Sequence, residues 1–266
     1  EITDTAITYS PIVIPAANFN TVTYTGDGSS SRSIAGTGFA PDFTWTKKRG
    51  PSTANHLLQN TVNGAGTGSA LYSAGNYAAG AYDEYGYISS FDADGVTYQA
   101  GTNASYPTDL ANENGSTYVS WRWKAGGAAT TINAGTVSND VASDVSANTA
   151  TGFSIVKYTG TLGAAGNIDV AHGLGAAPEI IISKRTDSTG PWRVSPFFLN
   201  SNPYNYLELD TNILIANVNL TDGTMAMPTN NVFSNNWNSG LGGIGDVIAY
   251  CWRSIPGYSK IGFYVG

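Results

Sequence analysis

One unit of this chain is written twice, and that constrains its fold more than any other feature. Phe153, Val156, Tyr158, Thr159 and Gly160 answer to Phe19, Val22, Tyr24, Thr25 and Gly26 at a constant offset. Gly173, Gly175, Pro178, Glu179, Lys184 and Arg185 then answer to Gly36, Gly38, Pro41, Asp42, Lys47 and Lys48, with a slightly longer loop in the second copy. The endings agree as well: Val119, Trp121 and Trp123 correspond to Ile248, Tyr250 and Trp252. Self-similarity at a long period means one architecture built twice. Within 266 residues it implies two domains of ordinary size. The expected division is an extended N-terminal arm over residues 1–17, a first repeat over 18–127, a linker over 128–150 and a second repeat over 151–257. Residues 258–266 resemble the opening of a further copy, so the polypeptide is expected to continue beyond Gly266.

Each unit reads as β-structure. Alternation of large and small residues over 118–124 has the period of a strand, with Trp121 and Trp123 expected inward and Ser120, Arg122 and Lys124 expected outward. Strands are expected at 19–25, 31–34, 42–48, 88–91, 96–99, 153–158, 180–184, 206–209, around 213–218 and 225–227, and at 247–252. The Asp94-Gly95 pair turns a hairpin, and residues 57–71 read as a flexible connection. No window sustains apolar residues at helical spacing. Abundant Gly (32), Tyr (16) and Trp (6) with 12% charged residues fit a turn-rich β-protein. The expected fold is all-β: two tandem antiparallel β-sandwich domains of the same topology, almost without helix, with Trp123 and Trp252 at equivalent core positions.

Charge and cysteine usage exclude several classes of partner. A net charge of −7 argues against nucleic acid, whose binding needs a basic footprint. No apolar run approaches the roughly 18 residues of a membrane span, so no membrane insertion is expected. The opening Glu1-Ile-Thr-Asp-Thr lacks the basic and apolar regions of a signal peptide. The single Cys251 supplies neither a disulfide framework nor a thiolate metal cluster.

No catalytic set assembles from the residues. His56 and His172 have no counterparts in the other copy, and His172 reads as a solvated loop side chain without a nucleophile beside it. Cys251, between two aromatic residues on a strand, reads as a small apolar filler. Asp83-Glu84 and Asp92/Asp94 are the acidic pairs a glycosidase would need, but sequence neighbours on a turn rarely oppose each other across a sugar. Asp92-Ala-Asp-Gly95 also opens like a calcium loop, yet position twelve is Asn103 instead of Glu. Asn103, Asn114 and Asn219 open matches to the glycosylation pattern, which is short enough to arise by chance. Lys47-Lys48-Arg49 and Lys184-Arg185 read as solvated strand ends, the alternative being a salt bridge that fixes the next loop. Neither a catalytic residue, a metal site nor a cofactor is expected.

The segment 72–87 is where the copies diverge most. It sets five tyrosines among Gly, Ala and one acidic pair, and tyrosine suits both sugar binding and protein interfaces. Loops on a rigid scaffold commonly carry binding. Tyr72, Tyr77, Tyr82, Asp83, Glu84, Tyr85 and Tyr87 are therefore the candidate binding residues.

Three motifs together resemble a tandem domain of tailed-phage virion proteins, usually called tail fibres, in phages of aquatic bacteria. They are Val-x-Tyr-Thr-Gly, Gly-x-Gly-x-x-Pro-Asp/Glu ahead of a strand ending Lys-Lys/Arg, and the closing aromatic strand running into Trp123-Lys-Ala-Gly-Gly127 or Trp252-Arg-Ser-Ile-Pro-Gly257. The resemblance spans roughly residues 19–257. It implies a non-enzymatic virion structural protein, a tail-fibre segment and homotrimer that contacts other virion proteins and a host cell-surface glycan. The alternative is a capsid decoration, head-fibre or tail-adaptor protein whose aromatic loops make subunit contacts. The family brings no catalytic residues, and the segment 72–87 departs from its pattern.

Overall fold

A computed structural model describes residues 13–135, 140–163, 166–199, 202–211, 216–217, 225–236 and 241–263. The chain is nearly all β, with 44% of it in strands. The helical elements among the described residues are two single 3-10 turns, at Pro15–Ala17 and Asp83–Tyr85. The first half contributes β1 (Phe19–Thr25), β2 (Ser31–Ile34), β3 (Phe43–Gly50), β4 (Leu57–Asn60), β5 (Tyr87–Asp92), β6 (Gly95–Gln99) and β7 (Thr117–Trp123). They form two antiparallel sheets, ordered β1-β7-β3-β4 and β2-β6-β5.

Then come β8 (Thr130–Asn133), β9 (Asp140–Asn148), β10 (Phe153–Gly160), β11 (Asn167–Ala171), β12 (Ile180–Arg185), β13 (Arg193–Pro196), β14 (Asn205–Glu208), β15 (Ala216–Asn217), β16 (Val232–Asn236) and β17 (Gly245–Trp252). The main sheet of the second half orders β10-β17-β12-β13, as β1-β7-β3-β4 does in the first. The registers also correspond. Phe19 and Phe43 both sit opposite Trp123, while Phe153 and Ile180 both sit opposite Trp252.

The expected linker is not a linker. Residues 140–148 form β9, which pairs antiparallel with β10 through its later residues and parallel with β11 through Asp140 and Val141. It therefore stitches the two layers of the second half together, and Val141 and Val145 enter the core. Small polar residues hid this strand because only alternate positions face inward, and Ser143 and Ser146 are buried with their hydroxyls bonded to carbonyl oxygens of Ala171 and Gly127. The flexible connection expected from residue 57 also starts as a buried strand, β4. Residues 225–227 carry no strand. Residues 213–215 and 218, most of the strand expected there, lie outside the described residues, as does most of the N-terminal arm. At 258–263 the described chain makes a turn and one bridge, Ile255 to Ser259, without an opening strand.

Three cores stack through the molecule. One lies inside the first half around Ile34, Leu57, Tyr72, Ile88 and Tyr98, and one inside the second half around Val156, Ile168, Val170, Phe233 and Val247. The third joins the halves, with Phe43 and Leu58 packing against Phe153, Ile155, Ile248 and Tyr250. Phe43 stacks on Tyr250 at 4.3 Å between ring centroids, and the Asn60 amide donates to the Tyr250 hydroxyl at 2.9 Å. Aromatic pairs of this kind contribute about 1 kcal/mol each beyond the area they bury.

The polarity of β7 is the reverse of the one expected. Tyr118, Ser120 and Arg122 are fully buried inside the first half, whereas Trp121 is half-buried beside Trp45 and Trp123 is half-buried against the second half. Arg122 is held by the Ile34 carbonyl, the Thr37 hydroxyl and Ser120. Trp123 and Trp252 do occupy equivalent positions, but at the seam between the halves, in edge contact at 6.4 Å.

Candidate functional site

The 72–87 segment splits into an inner and an outer part. Tyr72 is fully buried, and its hydroxyl donates to Asp83 at 2.8 Å. Burial first, then Asp83, raises its pKa well above the usual phenol value. Asp83 also accepts the Gly68 backbone N–H, so these two expected binding residues tie the loop down, and Tyr72 is closed off from any ligand by its burial. Tyr87 begins β5 opposite Gln99. The carbonyl of Tyr72 accepts the buried Trp192 indole N–H at 2.9 Å. Ala79 donates to the Thr186 carbonyl, and Gly190 donates to that of Asn76. The segment thereby docks the second half.

Tyr77, Tyr82 and Tyr85 form the outer part. Their rings make a ladder with Tyr77 edge-on to Tyr82 at 4.6 Å and Tyr85 at 5.9 Å beyond it. Gly75 leaves room for the Tyr77 ring, which a Cβ there would push aside. Tyr82 and Tyr85 wall a groove of about 440 Å³ whose other side is formed by Thr53, Asn55, Ala74 and Asp109. Tyr77 raises the Tyr82 pKa and the Glu84 carboxylate raises that of Tyr85. Glu84 itself is exposed.

Asp109 belongs to a buried cation. Lys48 is 1% exposed and its ammonium contacts Asp109 and Glu113 at 2.5 Å each and the Ser52 hydroxyl at 2.7 Å. Burial disfavours the charge, but the two carboxylates outweigh it and the Lys48 pKa is raised. The expectation of solvated strand ends fails for Lys48 and Lys184 and holds for the exposed Arg49, while the alternative of a salt bridge describes Lys48 and also Arg185, which pairs with Asp187 at 2.9 Å. Lys184 is also fully buried, donating to the Arg185 carbonyl at 2.7 Å, and burial lowers its pKa to about 8. Asn55 and Asp109 were not singled out from sequence, since nothing in a loop Asn or Asp announces that it will face a tyrosine some thirty residues away.

The remaining chemical groups have structural partners. Asp94 caps the backbone N–H groups of Gly36 and Gly38, and Asp92 accepts from Ser33, Ser90 and Thr97. Cys251 is buried, which pushes its thiol up to about 12. His172 is not solvated: it is fully buried, its rings bonded to the Thr229 carbonyl and the Leu174 N–H at 3.2 Å each. His56 accepts the Trp45 indole N–H at 2.8 Å, and burial together with Lys47 lowers its pKa to about 4.

Both folded histidines titrate below the ordinary value near 6.5, so the fold favours their neutral forms. Their contribution to stability is complete above about pH 6.5 and is lost as the pH falls from there toward the folded values. Thermal melting between about pH 7.5 and 4.5 is expected to show this decline, and His56→Gln is expected to flatten it.

A family model described as a domain of unknown function, DUF7483, matches residues 14–266. The chain belongs to this family. The match runs through both halves as one domain, in keeping with the core they share. No curated protein and no solved structure matches the chain.

Proposed function

We propose that this DUF7483 chain is a non-enzymatic virion component, a homotrimeric tail-fibre segment that binds a neutral glycan of the host surface. The observation that carries this reading is the groove between Tyr82 and Tyr85 on one side and Asn55 and Asp109 on the other. Aromatic faces take the apolar face of a sugar ring, while the phenol hydroxyls, Asn55 and Asp109 match its hydroxyls. The carboxylates of Asp109 and Glu84 disfavour an anionic saccharide. The motif resemblance to phage virion proteins supplies the setting, and the inner part of the segment, pinned to the second half, makes the groove rigid.

The test is a virion carrying Tyr82→Ala with Tyr85→Ala. Host adsorption is expected to fall by ~10-fold or more while particles assemble normally, as for loss of an aromatic anchor. Failed incorporation would instead favour the capsid-decoration or adaptor reading, in which the same rings contact neighbouring subunits. Unchanged adsorption and assembly would remove the groove from both readings.

A further inference from the structure

A second concave site lies at the end of the seam, away from the tyrosine groove. Phe19 pairs with Trp123 across β1 and β7, and Phe153 pairs with Trp252 across β10 and β17 at the equivalent register. The four rings meet. Phe19 lies 4.9 Å from Trp123, Phe153 stacks on Trp252 at 5.0 Å, and Trp123 lies 6.4 Å from both Phe153 and Trp252. Pro15 on one side and Tyr258 with Ser259 on the other complete a pocket of about 230 Å³.

The chemistry of this pocket is narrow. Its walls are aromatic, with the hydroxyls of Thr151 and Ser259 and no charged side chain among the lining residues. Trp123 and Trp252 stay half-exposed, and neither indole N–H has an acceptor among the described residues. Its volume is below that of sites for drug-sized ligands, which suits a single ring.

We propose that this pocket binds one neutral saccharide ring, with a C–H face against the indoles and ring hydroxyls accepting from the indole N–H groups. A proline or aliphatic side chain would cover the rings but offer the indole N–H groups no acceptor. An anion would find no cation among the lining residues. A ligand with an apolar face and hydroxyl acceptors answers both requirements, and the assignment does not depend on the virion reading.

Saturation-transfer NMR of the purified full chain against neutral methyl glycosides tests it. At least one glycoside is expected to bind with a dissociation constant on the order of 1 mM, the range for a ligand of so few atoms. Trp252→Phe keeps an aromatic ring in the seam while removing the N–H, and Tyr258→Ala opens a wall that lies outside the sheets. Each is expected to weaken binding by ~10-fold. Both variants are also made in the Tyr82→Ala, Tyr85→Ala protein, in which the groove is removed and the transfer that remains is that of this pocket. Absence of transfer from every glycoside, transfer in that protein unaltered by Trp252→Phe and Tyr258→Ala, or transfer lost with Tyr82 and Tyr85 would each overturn the proposal. Should Trp252→Phe fail to fold, Tyr258→Ala alone decides.

Discussion

Phe43→Ala is expected to destabilise the protein by about 4 kcal/mol, in the middle of the range for a buried aromatic residue. Phe43 is 1% exposed and its ring touches Tyr250, Trp123 and Phe153 at centroid distances of 4.3, 5.1 and 6.1 Å. Truncation removes the ring at the point where both repeats contribute to one core, and neither can collapse into the space without moving its whole sheet. The cost is therefore shared by both halves. Urea unfolding followed by tryptophan emission and by far-UV circular dichroism is expected to give one coincident transition, shifted to lower urea in the variant. Two separable transitions, or a cost below about 1 kcal/mol, would mean that the halves are independent domains that merely touch.

The second large effect concerns Lys48. Asp109→Asn combined with Glu113→Gln is expected to cost about 3 kcal/mol, because it leaves an ammonium inside the first half without a counter-charge. That figure lies at the low end for a broken buried pair, since the Asp109 and Glu113 side chains are 22% and 32% exposed and partly screened by solvent. Adding Lys48→Met to the pair is expected to recover most of the loss, because a flexible apolar chain then fills the same space without a charge. The pH dependence follows from the two directions of shift. Glu113 is lowered below 4.5, first by Lys48 and then by Ser116, so its contribution is present above 4.5 and lost as the pH falls through its folded value. Lys48 is raised above 10.5, so its contribution is present below 10.5 and lost as the pH rises through its folded value. The penalty of the double variant, measured by chemical denaturation, is therefore expected to be largest between about pH 5 and 10.

These effects fall on residues whose chemistry is plain in the sequence and whose surroundings are not. Alternation along β7 showed that Trp121 and Trp123 share one face and Ser120 and Arg122 the other, but a period of two says nothing about which face is buried. Here the Ser120 and Arg122 face packs inside the first half, while the other face meets the second half at Trp123 and leaves Thr21, Thr23 and Thr25 exposed beside Trp121. The same ambiguity hid Lys48 and Lys184, each at the end of a strand where a solvated lysine is the ordinary expectation. In the 72–87 segment, divergence from the other copy marked a stretch with its own contacts. It did not say that Tyr72 and Asp83 would turn inward to fix the loop while Tyr82 and Tyr85 faced a groove.

The sequence by itself determined that the chain is β-structure built twice, and it placed Phe19, Trp123, Phe153 and Trp252 at matching positions, because duplication preserves strand order and period. Only the tertiary structure decided that the main sheets pack against each other through Phe43 and Tyr250, and that residues 140–148 form a strand of the second half. It likewise decided that Tyr82 and Tyr85 meet Asn55 and Asp109. Each of these is a contact between distant segments. Local pattern reports the two faces a strand presents, whereas the partner of each face is chosen by which packing of the whole chain buries the most apolar surface without stranding a polar group.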